Sequence, residues 1–368
     1  MNEFVVIGGG IAGASAGYFL AQHGRVTVLE GEPIPGIHAT GRSAAWFSEY
    51  YGGPEVRALT AASRDFYETP PPGFGDAPLL SPRGALVLVP PGADEEFDQA
   101  LAEGAVEVST AESQAMCPVL RPGYHDRALL RPRACDLDVA AAHQGFLAGI
   151  RRRGGRVVTG AHVRAIERVP GGWRVETAAD DFTAPYVVNA AGAWADEVAD
   201  LAGVAPIGLR SLRRTAALVP APAGHDAAAV ASWPMVTDVA GTFYAKPESG
   251  GLLLSPADAT PMPPGDPRPD DLDVALAIAR FEEATTIKVT RVTHRWAGLR
   301  SSVAHDVPVI GEAPDDPGFF WLAALSGYGI QVAPAAGQLL SALVTGAPPR
   351  ELAACVPALV PASPVRTS

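Results

Sequence analysis

The chain has 368 residues, with 28 Lys and Arg against 40 Asp and Glu and a formal charge of −12. Its 48% hydrophobic and 18% charged residues exclude a disordered chain, and at roughly 100–200 residues per domain the length suits two or three domains. The acidic balance excludes nucleic acid as a main partner, because phosphate binding calls for a basic surface.

Cys117, Cys135 and Cys355 are odd in number and have no Cys-x-x-Cys spacing, so neither a zinc knuckle nor a disulfide framework is indicated. No apolar run reaches the roughly 18 residues of a membrane span, and the N-terminus lacks a basic segment with a cleavage site. The chain therefore reads as cytoplasmic, without stable membrane insertion.

Phe4 to Ile7 is a short apolar run that leads into Gly8-Gly9-Gly10-Ile11-Ala12-Gly13. A helical pattern follows to His23, then a second apolar run from Val26 to Leu29 that ends in Glu30, twenty residues beyond Gly10. Strand, glycine turn, helix, strand and acid in this order form a dinucleotide-binding fingerprint. Gly8 would permit the tight turn, Gly10 would let the backbone approach a pyrophosphate, and Gly13 would let helix pack on strand. Glu30 would accept from ribose hydroxyls.

Further along, the pattern predicts a helix over Pro54–Glu68 and a strand over Leu86–Val89. A helix over Asp138–Arg153 starts at an acidic cap and stops at Gly154-Gly155. Strands follow at Arg156–Val158, His162–Val169 and Trp173–Thr177, the last two joined by a Gly171-Gly172 hairpin, and at Tyr186–Asn189 before Ala190-Ala191-Gly192 and a helix to Ala202. Stretches of β character at Leu209–Val219 and Phe243–Leu254 precede a Pro-rich surface loop, Pro261–Pro269, and a helix over Asp270–Glu283. The end repeats the opening theme: strand Phe319–Ala323, glycine turn Ser326-Gly327-Tyr328-Gly329, then a helix from about Ile330 to Thr345.

Five spaced motifs carry a likeness that runs from Phe4 to about Val344. They are the opening fingerprint, Gly41-Arg42-Ser43-Ala44-Ala45, Val187-Val188-Asn189-Ala190-Ala191-Gly192-Ala193-Trp194, Trp296-Ala297-Gly298-Leu299-Arg300 and Gly327-Tyr328-Gly329-Ile330-Gln331. Together they resemble the D-amino-acid-oxidase-like flavoproteins, the family of glycine and sarcosine oxidases, and most of all its D-arginine-dehydrogenating members. The resemblance implies a mixed α/β fold: a Rossmann-like FAD-binding domain (1–45, 139–205 and 291–368) interleaved with a mixed-sheet substrate domain (46–138 and 206–290). It also implies that Val163, Ala191, Gly192, Trp194 and Arg300 join the motif residues around FAD. Gly41-Arg42-Ser43 would supply backbone N–H groups and a cation at a helix start, and the helix after Gly329 would aim its positive end at the flavin ring.

On the substrate side, Arg214, Tyr244 and Arg300 match positions that surround an α-carboxylate in the resembled proteins, with Arg213 competing for the role of Arg214. Guanidinium groups read a carboxylate bidentately and fix its plane. Gly327 matches a position whose carbonyl accepts from a substrate amine, and Tyr51 matches an active-site tyrosine. Where D-arginine-dehydrogenating members carry a Glu for the substrate guanidinium, this chain has Ala85, and Trp46 replaces a pocket His. With Phe47, Ser48, Met235 and Thr237 these complete an apolar lining, and a cationic side chain without a carboxylate there would cost several kcal/mol. No Lys falls beside the expected flavin position, since Lys246 comes a few residues too early, and His305-Asp306 reads as a turn near the flavin. None of the cysteines lies in a ring-proximal motif.

The expectation is therefore a non-covalent FAD enzyme, favouring dehydrogenase over oxidase, that oxidises the Cα–N bond of a D-amino acid with an uncharged side chain. Its electron acceptor is open. An N-substituted amino acid or a 2-hydroxy acid as substrate remains an alternative, as does a non-catalytic FAD-binding protein. An NAD-linked enzyme would leave the C-terminal glycine turn without a role.

Overall fold

The computed structural model describes residues 2–75, 77–346 and 352–361. Among these residues the strands form four sheets. A six-stranded sheet runs in the order Val309–Glu312, Phe319–Ala323, Tyr186–Asn189, Asn2–Ile7, Gly24–Leu29, Arg156–Val158. Its neighbours are parallel except at the Val309–Glu312 edge. Phe4, Val5, Val6 and Ile7 are all buried, as a strand covered on both faces requires.

A nine-stranded mixed sheet draws on Ala85–Val89, Val106–Val108, Arg127–Arg131, Arg210–Pro220, Met235–Asp238, Tyr244–Glu248, Gly251–Ser255, Thr260–Pro261 and His294–Ser302. The last of these pairs along Arg210–Leu218, so a strand from the 291–368 segment belongs to this second sheet. An antiparallel three-stranded sheet, Val163–Val169, Gly172–Thr177 and Asp181–Ala184, flanks the first. Trp46–Phe47, Cys135–Leu137 and Leu80–Pro82 form a small sheet.

Local chemistry explains most boundaries. The Asp138 side chain accepts from the Ala141 N–H and starts helix Val139–Arg152, and Asp270 does the same for Asp271–Ala284 through Leu272. Pro54 opens Pro54–Glu68, where a missing N–H costs nothing. Helix Thr110–Met116 was not expected, although Ser109 and Glu112 form a reciprocal capping box that the sequence spells out. Gly41-Arg42-Ser43 corrects the sequence reading: the segment is a run of turns leading into strand Trp46–Phe47, not a helix start. Its N–H groups donate to the carbonyls of Gly36, His38 and Thr40.

The helix Gly329–Thr345 is the packing hub, against Ile11–Leu20 on one side and Pro54–Glu68 on the other. Gly337 makes the first contact possible, because a Cβ there would overlap Ser15, whose hydroxyl donates to the Ala333 carbonyl. Pro334 sits inside this helix and removes the N–H that the Ile330 carbonyl would accept. Tyr67, on the neighbouring helix, donates its hydroxyl to that carbonyl. Ser63 accepts the Ala335 N–H at 3.1 Å, and Thr60 accepts from Gln331 at 2.9 Å. Burial pushes the Tyr67 phenol well above its usual range, which keeps the donor protonated.

Tyr67→Phe leaves the Ile330 carbonyl buried and unpaired. We expect a loss of about 1–3 kcal/mol, read as a lower urea midpoint at unchanged m-value.

Candidate functional site

A cavity of about 500 Å³ connects the fingerprint to Arg214 and Arg300 of the second sheet without interruption. Gly8, Gly10, Ile11, Ala12 and Glu30 line it. Gly8 has φ +106°, and a Cβ there would run into the Ala190 carbonyl; a Cβ at Gly13 would run into the Gly8 carbonyl. Gly8 thus holds the turn and Gly13 the helix-on-strand approach, with Gly13 itself away from the wall. Glu30 accepts the Gly9 N–H at 2.8 Å with one carboxylate oxygen and the Glu32 N–H at 2.9 Å with the other. Each oxygen keeps a second lone pair for a hydroxyl donor. Thr40, which the sequence reading missed, accepts the Ile11 N–H at 2.9 Å and ties the turn segment to the fingerprint helix.

Val163, Ala191, Gly192 and Trp194 line the cavity beyond the fingerprint. Trp194 packs against His38 with ring centroids 4.8 Å apart. Arg42, Ser43 and Ala44 also line it, but Gly41 and Ala45 do not. The expected free cation is not free: Arg42 pairs with Asp266 at 2.5 Å and donates to the carbonyls of Ala297 and Ile37. That hydrogen bond holds the Asp266 carboxyl below its ordinary range. Asp266 belongs to the Pro-rich loop, and Gly265 and Pro267 form part of the wall, so this loop closes over the site and is not mere surface.

The remaining wall is Gly327, Gly329 and Ile330 at the start of helix Gly329–Thr345, with Arg214, Tyr244 and Arg300 from the nine-stranded sheet. Gln331 departs from its expected place. It is buried, receiving the Ser48 N–H and donating to Thr60. Strand alternation decides between the two arginines: Arg214 faces the cavity, whereas Arg213 turns away to Asp273 at 2.7 Å. Arg300 stands on the strand paired with that of Arg214, in register with Leu212. It donates to the Tyr51 hydroxyl at 3.0 Å. A Cβ at Gly327 would come 2.8 Å from the Arg300 Cζ, so the absence of a side chain there gives the guanidinium its place. Tyr51 meets Tyr328 edge to face at 4.9 Å, and Tyr328 donates to Asp306, an exposed residue with φ +56° that does not line the cavity.

The electrostatics of this end are unbalanced. The Arg214 Nε is buried without a partner, and burial and then the neighbouring Arg300 charge pull its pKa down. Among the described residues neither guanidinium has a carboxylate in ion-pair contact. Two cations that share one cavity wall, with a phenol beside them, suit an incoming anion, and the fork geometry suits a carboxylate.

The expected apolar lining is not part of the cavity wall: none of Trp46, Phe47, Ser48, Ala85, Met235 and Thr237 lines it. Phe47 is fully buried against Tyr67 and Arg64, and Ser48 is 1% exposed, its hydroxyl accepting the Tyr50 N–H. Both are core residues: Phe47 through its place in the small sheet, Ser48 through its N–H donated to the buried Gln331 side chain. Trp46 stands opposite Asp136 on the same small sheet. Ala85, Met235 and Thr237 lie on adjacent strands of the nine-stranded sheet, outside the cavity wall, and the Thr237 hydroxyl donates to the Phe243 carbonyl. Lys246 is buried between Asp136 and Glu248, at 2.8 and 3.1 Å.

Residues 3–343 match the family described as FAD dependent oxidoreductase. The chain is 26% identical to human mitochondrial dimethylglycine dehydrogenase over 378 residues, covering 95% of this chain and 43% of that protein, so it spans less than half the length of that relative. It is 25% identical to the glycine oxidase of Bacillus licheniformis over 374 residues, covering 94% of each. The L-proline dehydrogenase of P. horikoshii shares the fold with a TM-score of 0.83 at 21% identity, over 95% of this chain and 94% of that one. The glycines, the continuous cavity and this match over nearly the whole length agree: the chain belongs to the FAD-dependent oxidoreductase family of mixed α/β flavoproteins.

Proposed function

We propose that the chain oxidises the Cα–N bond of a D-configured or achiral amino acid whose side chain carries no positive charge. The observation that carries this reading is the pair Arg214 and Arg300, without carboxylate partners, beside Tyr244 on the wall that also holds the fingerprint. The two guanidiniums and the phenol would grip the α-carboxylate and fix the direction of the Cα–H bond. FAD, when bound, supplies the two-electron acceptor. The Cα–H bond breaks with its electron pair leaving as hydride, the nitrogen lone pair closes the C=N bond, and the nitrogen proton passes to water. Hydrolysis then gives a keto acid and ammonia. The Gly327 carbonyl is a candidate acceptor for the amine. In the same reading the six-stranded sheet serves the cofactor and the nine-stranded sheet the substrate.

Two further points favour a non-covalent dehydrogenase. None of Cys117, Cys135 and Cys355 lines the cavity, and its histidines, His38 and His162, belong with Glu32 and Gly31 near Glu30, away from Arg300. Lys246 and Lys288 are paired with acids and are absent from the wall, so no ammonium stands there to promote oxygen reduction. The likeness to dimethylglycine dehydrogenase favours a second reading, in which the same grip holds an N-methylated amino acid.

Arg214→Met and Arg300→Met should each retain flavin and lower kcat/KM by about two to four orders of magnitude, since truncating one partner of a buried charged pair costs roughly 2–5 kcal/mol. Normal turnover in both would mean that the carboxylate binds elsewhere. Gly327→Ala should weaken carboxylate binding through displacement of Arg300, seen as a raised Kd for a benzoate-type ligand in flavin difference spectra. Acid precipitation should release all of the flavin, and reoxidation by oxygen should be slower than by an artificial dye; flavin left on the protein pellet would count against non-covalent binding. Anaerobic bleaching by D-amino acids, sarcosine and N,N-dimethylglycine distinguishes the two substrate readings.

A further inference from the structure

Gly8 and Gly10 line the cavity, and Gly9 between them does not. Gly9 is held instead from inside the protein, at both of its backbone polar atoms. The Glu30 carboxylate accepts its N–H at 2.8 Å, and its carbonyl meets His143 Nε2 at 2.7 Å. A carbonyl can only accept, so Nε2 carries the proton.

His143 stands on helix Val139–Arg152 and is 4% exposed. Its ring lies between the fingerprint and the turn segment that follows Glu30. A Cβ at Gly36, which has φ +82°, would come 2.8 Å from the His143 Cε1, and the Gly36 carbonyl receives the Gly41 N–H. Burial pulls the imidazole pKa down, outweighing the Gly9 carbonyl and the Glu30 charge, which push it up. At neutral pH the ring is therefore uncharged, and its single N–H is committed to Gly9.

A trans peptide directs its C=O and the following N–H in opposite directions. Among the described residues no peptide bond is cis. With the Gly9 carbonyl turned inward to His143, the Gly10 N–H is turned to the cavity side, and no acceptor among the described residues takes it up. The next N–H, of Ile11, is already given to Thr40. Three successive glycines offer no Cβ to resist rotation of this peptide. Rotated by half a turn, it would present a carbonyl oxygen where an anion should bind.

We infer that His143 is a positioning residue for the cofactor: its N–H locks the Gly9–Gly10 peptide so that the Gly10 N–H is presented to the pyrophosphate of FAD. His143 acts through the backbone and is absent from the cavity wall. The inference rests on the FAD cofactor and not on the amino-acid reading of the substrate, so either can fail alone.

The test follows the flavin fluorescence released on dilution of the holoenzyme, with ADP, which carries the same pyrophosphate, as competitor. His143→Leu removes the donor and keeps an apolar bulk. It should raise the FAD Kd and the ADP inhibition constant by a similar factor, about 10- to 100-fold, the range of one charge-assisted bond. His143→Gln places an amide N–H at the reach of Nε2 and should return both constants to within about fivefold of the wild type. His143→Asn, whose amide falls short of Gly9, should resemble His143→Leu. The benzoate Kd of each FAD-saturated variant should stay at the wild-type value, because the Arg214 and Arg300 end is untouched. A folded His143→Leu protein that holds FAD and ADP as the wild type does overturns the inference. So does a His143→Gln variant no better than His143→Leu, or a loss of FAD affinity that spares ADP. If His143→Leu leaves no folded protein, the contrast between His143→Gln and His143→Asn decides, and equal FAD Kd values for those two overturn it.

Discussion

Everything at the site leans on the helix Gly329–Thr345 being held at a fixed height. Its first turn contributes Gly329 and Ile330 to the cavity wall, and the residue two before it, Gly327, leaves room for the Arg300 guanidinium. Yet the helix contains Pro334, which should weaken it one turn from its start. Tyr67, Ser63 and Thr60 repair the defect from the neighbouring helix, and Gly337 allows Ser15 of the fingerprint helix to dock on the other side. Hydrogen bonds that would be internal to an ordinary helix have become tertiary contacts. The position of the wall is thereby coupled to the packing of two other helices.

The same frame accounts for the charge distribution. Arg42, Arg64, Arg83 and Arg213 all meet carboxylates. Arg214 and Arg300 do not, and burial at that end is incomplete because the wall is a cavity. A protein interior tolerates unpaired charge poorly, so two such groups together make this end of the cavity electrostatically suited to an anion. Arg131 is an intermediate case, with half a share in Glu103.

The chain reaches this arrangement by crossing repeatedly between its two large sheets. The strand His294–Ser302 links them most directly: it pairs with Arg210–Leu218 in the nine-stranded sheet, while its Ser301 bridges to Ser326 beside the glycine turn that follows Phe319–Ala323. Arg300 inherits its position from both. Arg42 closes the other side by joining the turn segment to Ala297 and to Asp266.

Much of this was legible in the order of residues. Glycines at 8, 10 and 13, an acid at Glu30, and the helix limits at Asp138, Pro54 and Asp270 are legible from short-range spacing and capping. The cofactor class and the arginines of the second sheet were likewise visible through their motifs. What the sequence left open depended on partners distant along the chain. Arg213 and Arg214 are adjacent, and only the register against Gly298 and Leu299 and the acids at Asp258 and Asp273 decide which one faces the cavity. Phe47 and Ser48 read as pocket residues, but Phe47 packs on Tyr67 from the strand paired with Cys135, and Ser48 is held in the interior by Gln331, 283 residues away. Arg131 lies 46 residues from Ala85 in sequence and directly opposite it in the sheet, a neighbour that strand pairing supplies and that no local pattern encodes.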